Sequence, residues 1–153
     1  MITIAGTAYF AKLYPEAILP KYSSDLAACC DLYIPRLEYI DAQQEKLIGL
    51  GLVAIPPIGW HWHIYLRSST PWKYTGLELM NYVGIIDGDY CGPDDELKLS
   101  LRNTGDTNSI LLVPGTRIAQ MRLVQNAQAL IEEIPYDQIA ERRSRGGLGS
   151  TGQ

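Results

Sequence analysis

The chain has few cysteines and histidines, the residues that most often hold small domains together through disulfides or metals. It contains three cysteines, Cys29, Cys30 and Cys91, and two histidines. An odd number of cysteines, two of them adjacent, does not provide a disulfide framework or a zinc knuckle. We therefore expect free thiols, buried or half-buried, in a reducing cytoplasm.

Long apolar runs and an excess of positive charge are also missing. No run approaches the ~18 apolar residues of a membrane helix. The N-terminus has no charged stretch ahead of its apolar residues, so we expect no signal peptide. The net charge is −4 and the pI is about 5.1, which argues against a broad electrostatic contact with nucleic acid. A local arginine cluster with a metal ion still suits a single nucleotide.

Short strand signals dominate what is present. Residues 60–66 are aromatic and β-branched, as in a strand. Residues 97–102 alternate leucine with polar side chains, which predicts a strand with one wet face. Further strands are predicted within 47–55, 110–113 and 118–124, and the Pro-Gly pair before the last predicts a turn. Many short strands between glycines and prolines favour an all-β sandwich, barrel or jelly roll.

Helix is scarce, and the C-terminal end differs from the rest. One short helix is predicted from Ser69 to Tyr74, with a hydroxyl cap, Pro71 in the first turn and Gly76 beyond its end. Residues 141–153 contain four glycines and cannot build a core. We therefore predict one β domain at 1–140, followed by a flexible arm that either frays or wraps phosphates.

Several short motifs carry polar chemistry, and each is weak by itself. Asp87 lies in a glycine-rich segment that predicts a β-hairpin, where Asp is usually a turn former. The triplet at 67–69, Arg-Ser-Ser, precedes the short helix and suits an anion. Asp31, in an apolar stretch, suits an arginine partner or Mg²⁺. Arg117 and Gln120 suit structural hydrogen bonds.

His61 and His63 are separated by one residue in a predicted strand and so face the same side. Two imidazoles in that geometry can bind a metal. Because no third ligand is evident nearby in the sequence, packing is the favoured interpretation.

Taken together and in order, these segments resemble the five motifs of the trimeric dUTPase family. The resemblance runs from Ala28 to Gly152. The motifs read ACCDL, RSS, GIIDGDYCG, GTRIAQ and RSRGGLGSTG. An aromatic residue usually precedes the terminal GSTG in this family, whereas Leu148 stands there in this chain. The family's fifth motif opens with Arg-Gly, whereas this chain has Arg143-Ser144. Arg143 and Arg145 are therefore alternative candidates for the phosphate contact.

The resemblance implies a dUTPase-like jelly roll or distorted β-barrel that assembles as a homotrimer with shared active sites. It implies hydrolysis of dUTP to dUMP and pyrophosphate with Mg²⁺, in the cytoplasm, with Asp87 activating the water. Asp31 would orient the metal's waters. The residues implied in substrate binding are Arg67, Ser68, Ser69, Asn81, Gly84, Ile85, Ile86, Tyr90, Gln120, Arg143, Leu148, Gly149, Ser150 and Thr151.

Two alternatives remain at this point. A dCTP deaminase has a related fold, an RSS triplet and a similar acidic hairpin, but the GSTG tail and the sequence around Tyr90 are closer to dUTPase. A dUTPase-like trimer that signals through protein contacts would share all five motifs. The intact Asp87 indicates that the chemistry is retained, but it does not argue against a signalling role.

Overall fold

The structure, a computed structural model, describes residues 5–139. Strands make up most of its regular elements, as predicted. The twelve strands in this part of the chain are β1 (Tyr9–Lys12), β2 (Lys21–Tyr22), β3 (Cys30–Leu32), β4 (Glu38–Ile40), β5 (Glu45–Gly49), β6 (Leu52–Ile55), β7 (Trp60–Leu66), β8 (Leu77–Leu79), β9 (Gly84–Ile86), β10 (Lys98–Asn103), β11 (Ile110–Leu112) and β12 (Ala119–Gln125).

The strands form four antiparallel sheets. The largest has the order β2-β3-β12-β7-β9, and a three-stranded sheet has the order β5-β10-β8. Two further pairs join β1 to β6 and β11 to β4. Many strand neighbours are distant in sequence, as expected for a jelly roll, and no sheet within residues 5–139 closes into a barrel. The all-β jelly-roll prediction is confirmed.

Alternating side chains place the core between the sheets. In β10, Leu99 and Leu101 are buried while Lys98 and Arg102 are exposed, as the sequence pattern predicts. In β7, Trp62 and Ile64 enter the core and the intervening side chains face outward. The outer face of the five-stranded sheet is therefore free to carry polar chemistry.

The predicted helix is present as α1 (Thr70–Lys73). The Thr70 hydroxyl donates to the Ile118 carbonyl at 2.7 Å, which ties the helix start to the strand β12. Gly76 follows with φ +84°, a conformation that favours glycine. The predicted Ser69 cap is wrong: its backbone is already helical (φ −82°, ψ −12°), and its side chain makes no capping bond. No helix within 5–139 is long and apolar enough to cross a membrane.

The predicted hairpin around Asp87 is also wrong. The strand β9 pairs antiparallel with β7, and the next strand in sequence, β10, joins a different sheet. The intervening loop is held by its own acids: the Gly92 N–H donates to Asp95 and the Gly51 N–H to Glu96, both at 2.8 Å. The Glu96 bond joins the end of this loop to the turn between β5 and β6, and β10 then pairs with β5.

The three cysteines are free thiols, as predicted. Cys30 is buried in the core, and this burial raises the pKa of its thiol to about 12. A thiol so far from ionisation is a packing residue and not a nucleophile.

Candidate functional site

Asp31 is the centre of a buried ionic cluster. Its side chain is 7% exposed, and Arg67 Nε lies 2.7 Å from its Oδ1. Arg117 Nη1 donates to its Oδ2 at 2.9 Å. Each carboxylate oxygen therefore has its own guanidinium partner, which is the arginine pairing that the sequence offered for Asp31.

Strand register explains why these residues meet. Gln120 of β12 lies opposite both Asp31 of β3 and Tyr65 of β7. The Arg67 N–H donates to the Ile118 carbonyl at 2.9 Å, which fixes the backbone just after β7. Gln120 Nε2 donates to the Leu66 carbonyl at 3.3 Å. Three motifs that are far apart in sequence thus meet at one end of the interior strands β3, β12 and β7, a surface that we call the arginine edge.

This edge presents positive charge and hydroxyls toward solvent. The Arg67 side chain is 24% exposed and that of Arg117 is 45% exposed. Ser68 is exposed and Ser69 is half-buried at the start of the helix. Partly exposed guanidinium groups beside hydroxyls suit phosphate oxygens, and Asp31 holds the two arginines in place for that contact.

Asp87 lies elsewhere, in an open cleft of about 640 Å³. Asp87 and Asp89 are both exposed there, on the turn that follows β9. The Tyr90 N–H donates to the Asp87 carbonyl at 3.2 Å and closes this turn. The cleft is lined by Ile55, Pro56, Pro57, Ile58, Gly59, Trp60, Asp87, Gly88, Asp89, Asn126 and Gln128.

The other residues of this motif lie before, within and after β9. A side chain at Gly84 would meet Ile64 Cβ at 3.2 Å and the Asn81 amide nitrogen at 3.6 Å, so glycine allows this close approach. The Tyr90 hydroxyl donates to the Glu96 carbonyl at 3.2 Å. Ile85 is largely exposed while Ile86 packs against the core. Asn81 therefore lies beside the start of β9, and Asp87 and Tyr90 lie on the turn after its end; we call this stretch the Asp87 rim.

The two groups of residues lie at opposite ends of β7. The Asp87 cleft includes Trp60, the first residue of β7, whereas Arg67 follows the last. A seven-residue antiparallel strand spans roughly 20 Å from first to last residue. Within one chain, Asp87 and the arginine cluster are therefore too far apart to act on the same phosphate.

The outer face of β7 carries a chain of hydrogen bonds that the sequence did not predict. His61 Nε2 lies 2.8 Å from His63 Nε2, and the outer nitrogens contact Asn126 and Tyr65. Burial, together with His61 and Arg122, lowers the pKa of His63. Both rings are half-buried and pack side by side, with centroids 4.7 Å apart and His63 6.0 Å from the Tyr65 ring, in line with the packing interpretation.

Comparison with known proteins supplies the family. The family model described as dUTPase matches residues 15–152. The chain belongs to the dUTPase family. It is 38% identical over 149 residues to a deoxyuridine 5'-triphosphate nucleotidohydrolase of Acinetobacter baylyi, covering 93% of each chain. A protein of the same name from Candida albicans is 34% identical, covering 91% of this chain and 84% of that protein.

Solved dUTPase structures share the fold. The Streptococcus mutans dUTPase has a TM-score of 0.70 at 31% identity, covering 81% of this chain and 98% of that one. The Staphylococcus bacteriophage 80alpha dUTPase with dUPNHPP has a TM-score of 0.80 at 20% identity, covering 97% and 100%. At 20% identity, the similarity to the phage protein shows only that the fold is shared.

Members of the dUTPase family use Mg²⁺, and the residues of this chain fit one mode of binding it. No group of three His, Cys, Asp or Glu side chains within 5–139 is placed to cage a metal. Both oxygens of Asp31 already accept from arginines. The donor set therefore fits Mg²⁺ that is carried by phosphates and waters, as is usual for nucleotide-bound magnesium.

Five of the predicted substrate-binding residues lie outside the described residues: Arg143, Leu148, Gly149, Ser150 and Thr151. Arg117 and Gln120 make the structural hydrogen bonds that the sequence predicts, and Arg117 in addition shares Asp31 with Arg67. The signal that could have brought the two arginines together is topological: Arg117 lies just before β12, which neighbours β7, the strand that ends just before Arg67.

Proposed function

We propose that this chain hydrolyses dUTP to dUMP and pyrophosphate and so keeps uracil out of DNA, as a cytoplasmic homotrimer whose active sites are shared between copies. The observation that carries the shared site is the separation of Asp87 from the Arg67 cluster along β7. Relatives named deoxyuridine 5'-triphosphate nucleotidohydrolase support the substrate. Three free thiols fit a reducing compartment.

The Asp87 rim holds the nucleoside and the water. Asp87 takes the proton of the attacking water and accepts a hydrogen bond from the sugar 3′-OH. Asn81 and the backbone of Gly84 and Ile85 pair with the uracil edge. Tyr90 lies against the deoxyribose, with Ile86 behind it, so a 2′-hydroxyl has no room.

The arginine edge holds the phosphates. Arg67, Ser68, Ser69 and Gln120 bind phosphate oxygens, and Asp31 keeps Arg67 in position. Mg²⁺, when bound, neutralises the triphosphate charge, and Asp31 lies close enough to this edge to orient its waters. Water attacks the α phosphorus, the bond to the bridging oxygen breaks, and pyrophosphate leaves.

The C-terminal part supports an assembly of several copies. Leu130 is 86% exposed and Ile131 93% exposed, in a stretch after β12 that has no strand partner within 5–139. Exposed apolar residues in an extended segment suit a neighbouring copy of the same chain. Such an arm would carry residues 141–153 with it. We propose that Arg143, Leu148, Gly149, Ser150 and Thr151 cover the nucleotide there.

A direct assay tests the activity. Pyrophosphate release is measured for dUTP beside dCTP, dTTP and UTP, together with ammonia release from dCTP and dUTP. We expect pyrophosphate from dUTP alone and no ammonia. Ammonia from dCTP would instead support a deaminase.

Subunit mixing tests the shared site. Asp87→Asn and Arg67→Gln chains are each expected to be nearly inactive. When the two are unfolded and refolded together at equal amounts, some sites receive Asp87 and Arg67 from different, intact sources. If each residue comes from a different copy, about one quarter of the wild-type activity should return.

Two controls make that result decisive. Each variant refolded alone must stay inactive, and the mixture must have the same size as the wild type in light scattering. A site built within one chain would never recover activity on mixing, because every chain lacks one of the two residues. Absence of recovery in a correctly assembled mixture would contradict the shared site.

Removing the C-terminal arm tests its proposed role. Deletion of residues 144–153 is expected to leave a folded protein that hydrolyses dUTP about 10²-fold more slowly, because phosphate positioning and water exclusion are lost. The measurement is kcat/KM for dUTP, with circular dichroism and light scattering as controls. Unchanged kcat/KM would remove the arm from the active site.

A further inference from the structure

The outer face of the strand β7 carries three polar rings in a row. His61 and His63 present their Nε2 atoms to each other at 2.8 Å, with ring centroids 4.7 Å apart. His61 Nδ1 lies 2.6 Å from Asn126 Oδ1, and His63 Nδ1 lies 2.9 Å from Tyr65 Oη. Every imidazole nitrogen of the pair thus has one defined partner.

These partners decide which nitrogens carry protons. Asn126 Oδ1 only accepts, so His61 donates from Nδ1 and its Nε2 keeps a free lone pair. His63 then has two arrangements. In one, it donates from Nε2 to His61 and accepts at Nδ1 from the Tyr65 hydroxyl. In the other, it donates from Nδ1 to Tyr65, and the Nε2 atoms of both rings are unprotonated, 2.8 Å apart.

The second arrangement is that of a bidentate metal ligand. Imidazole ligands usually donate their other ring nitrogen to a protein oxygen, which orients the ring and raises its basicity. Asn126 and Tyr65 supply those oxygens here. Both arrangements contain the same number of protons, so a metal replaces the shared hydrogen bond without a net proton release from neutral rings.

The distance between the two Nε2 atoms indicates which metal geometry the pair suits. With metal–nitrogen bonds near 2.05 Å, nitrogens 2.8 Å apart subtend about 85–90° at the ion. That angle belongs to neighbouring ligands in square-planar or octahedral geometry, as for Ni²⁺ or Cu²⁺. Tetrahedral Zn²⁺ would need nitrogens roughly 3.3–3.4 Å apart and therefore a rearrangement of the strand.

We propose that His61 and His63 form a two-histidine site for a square-planar or octahedral divalent transition metal, with Ni²⁺ bound in preference to Zn²⁺. Both rings are half-exposed, so water can occupy the remaining coordination positions. Across the sheet, Val124 lies opposite His61, while Arg122 and Ile85 lie opposite His63. The Arg122 charge is the one group among these cross-strand neighbours that opposes a cation.

The test uses the assembled wild-type protein without a polyhistidine tag. NiCl₂ is titrated at pH 8 by isothermal calorimetry, and ZnCl₂ in a parallel experiment. We expect one Ni²⁺ per chain, bound more tightly than Zn²⁺. His61→Gln and His63→Gln should each weaken Ni²⁺ binding at least about tenfold, and Tyr65→Phe by a smaller factor, because it removes only the orienting partner.

Two further variants show whether the bound Ni²⁺ sits on this histidine pair. Asp87→Asn should leave the Ni²⁺ affinity unchanged, so the result does not depend on the proposed hydrolase activity. Arg122→Gln should tighten binding, because a facing positive charge is removed. Wild-type Ni²⁺ affinity in both histidine variants, or Zn²⁺ bound more tightly than Ni²⁺, would overturn the proposal. Circular dichroism on each variant confirms that the fold is intact.

Discussion

Asp87→Asn is expected to bind dUTP with nearly wild-type affinity and to hydrolyse it about 10²–10⁴-fold more slowly. The amide keeps the shape and the hydrogen-bonding reach of the carboxylate but cannot take a proton from water. Asp87 is exposed on a turn, so the substitution should not disturb the core. The measurements are single-turnover rates and the binding of a non-hydrolysable dUTP analogue.

Asp89 provides the matched control for this experiment. It is also exposed and lines the same cleft, two residues along the same turn. Asp89→Asn changes the local charge by the same amount without removing the proposed base, so its rate should stay close to the wild type. A normal rate in Asp87→Asn, or equal losses in the two variants, would contradict the assignment of Asp87 as the base.

Replacing Asp31 with alanine is expected to lower the free energy of unfolding by about 3 kcal/mol. Removing one partner of a buried ion pair typically costs about 3–5 kcal/mol, and the partial exposure of Arg117 favours the lower end. Two guanidinium groups would then face each other without their shared carboxylate. Urea denaturation of the purified variant measures this loss, and kcat/KM for dUTP should fall with it because Arg67 loses its anchor.

An exposed ion pair elsewhere in the chain gives the comparison. Glu16 and Arg36 lie 3.5 Å apart with both side chains 57% exposed. Glu16→Ala should change the unfolding free energy by about 1 kcal/mol or less. If Asp31→Ala is no more destabilising than Glu16→Ala, the Asp31 cluster does not contribute to stability as its burial implies.

The sequence by itself determined the family and the positions of several strands. Five motifs in a fixed order identified the dUTPase resemblance, and the family model matches nearly the same span. Alternation around Leu99 and the aromatic run at 60–66 placed two strands correctly. These features are local: the period of two in a strand and the turn preferences of proline and glycine act between near neighbours in the chain.

Tertiary structure decided how distant residues meet. The sequence offered Asp31 either an arginine or a metal, and only the register of β3 with β12 shows two arginines on it. The Asp87 segment is predicted as a hairpin, yet β9 pairs with β7 and the next strand, β10, belongs to another sheet. Such pairings depend on contacts between residues far apart in sequence, which no local pattern specifies.

The histidine pair shows most clearly which features follow from the sequence and which from the tertiary structure. A spacing of two residues in a strand placed His61 and His63 on one face, and that could be predicted. Their mutual distance of 2.8 Å, and the contact of His61 with Asn126, depend on side-chain rotamers and on β12 lying beside β7. The separation of Asp87 from Arg67 likewise depends on the assembled sheet. Asp87 lies near the first residue of β7 only because β9 pairs with that strand, and the length of β7 then sets the distance to Arg67.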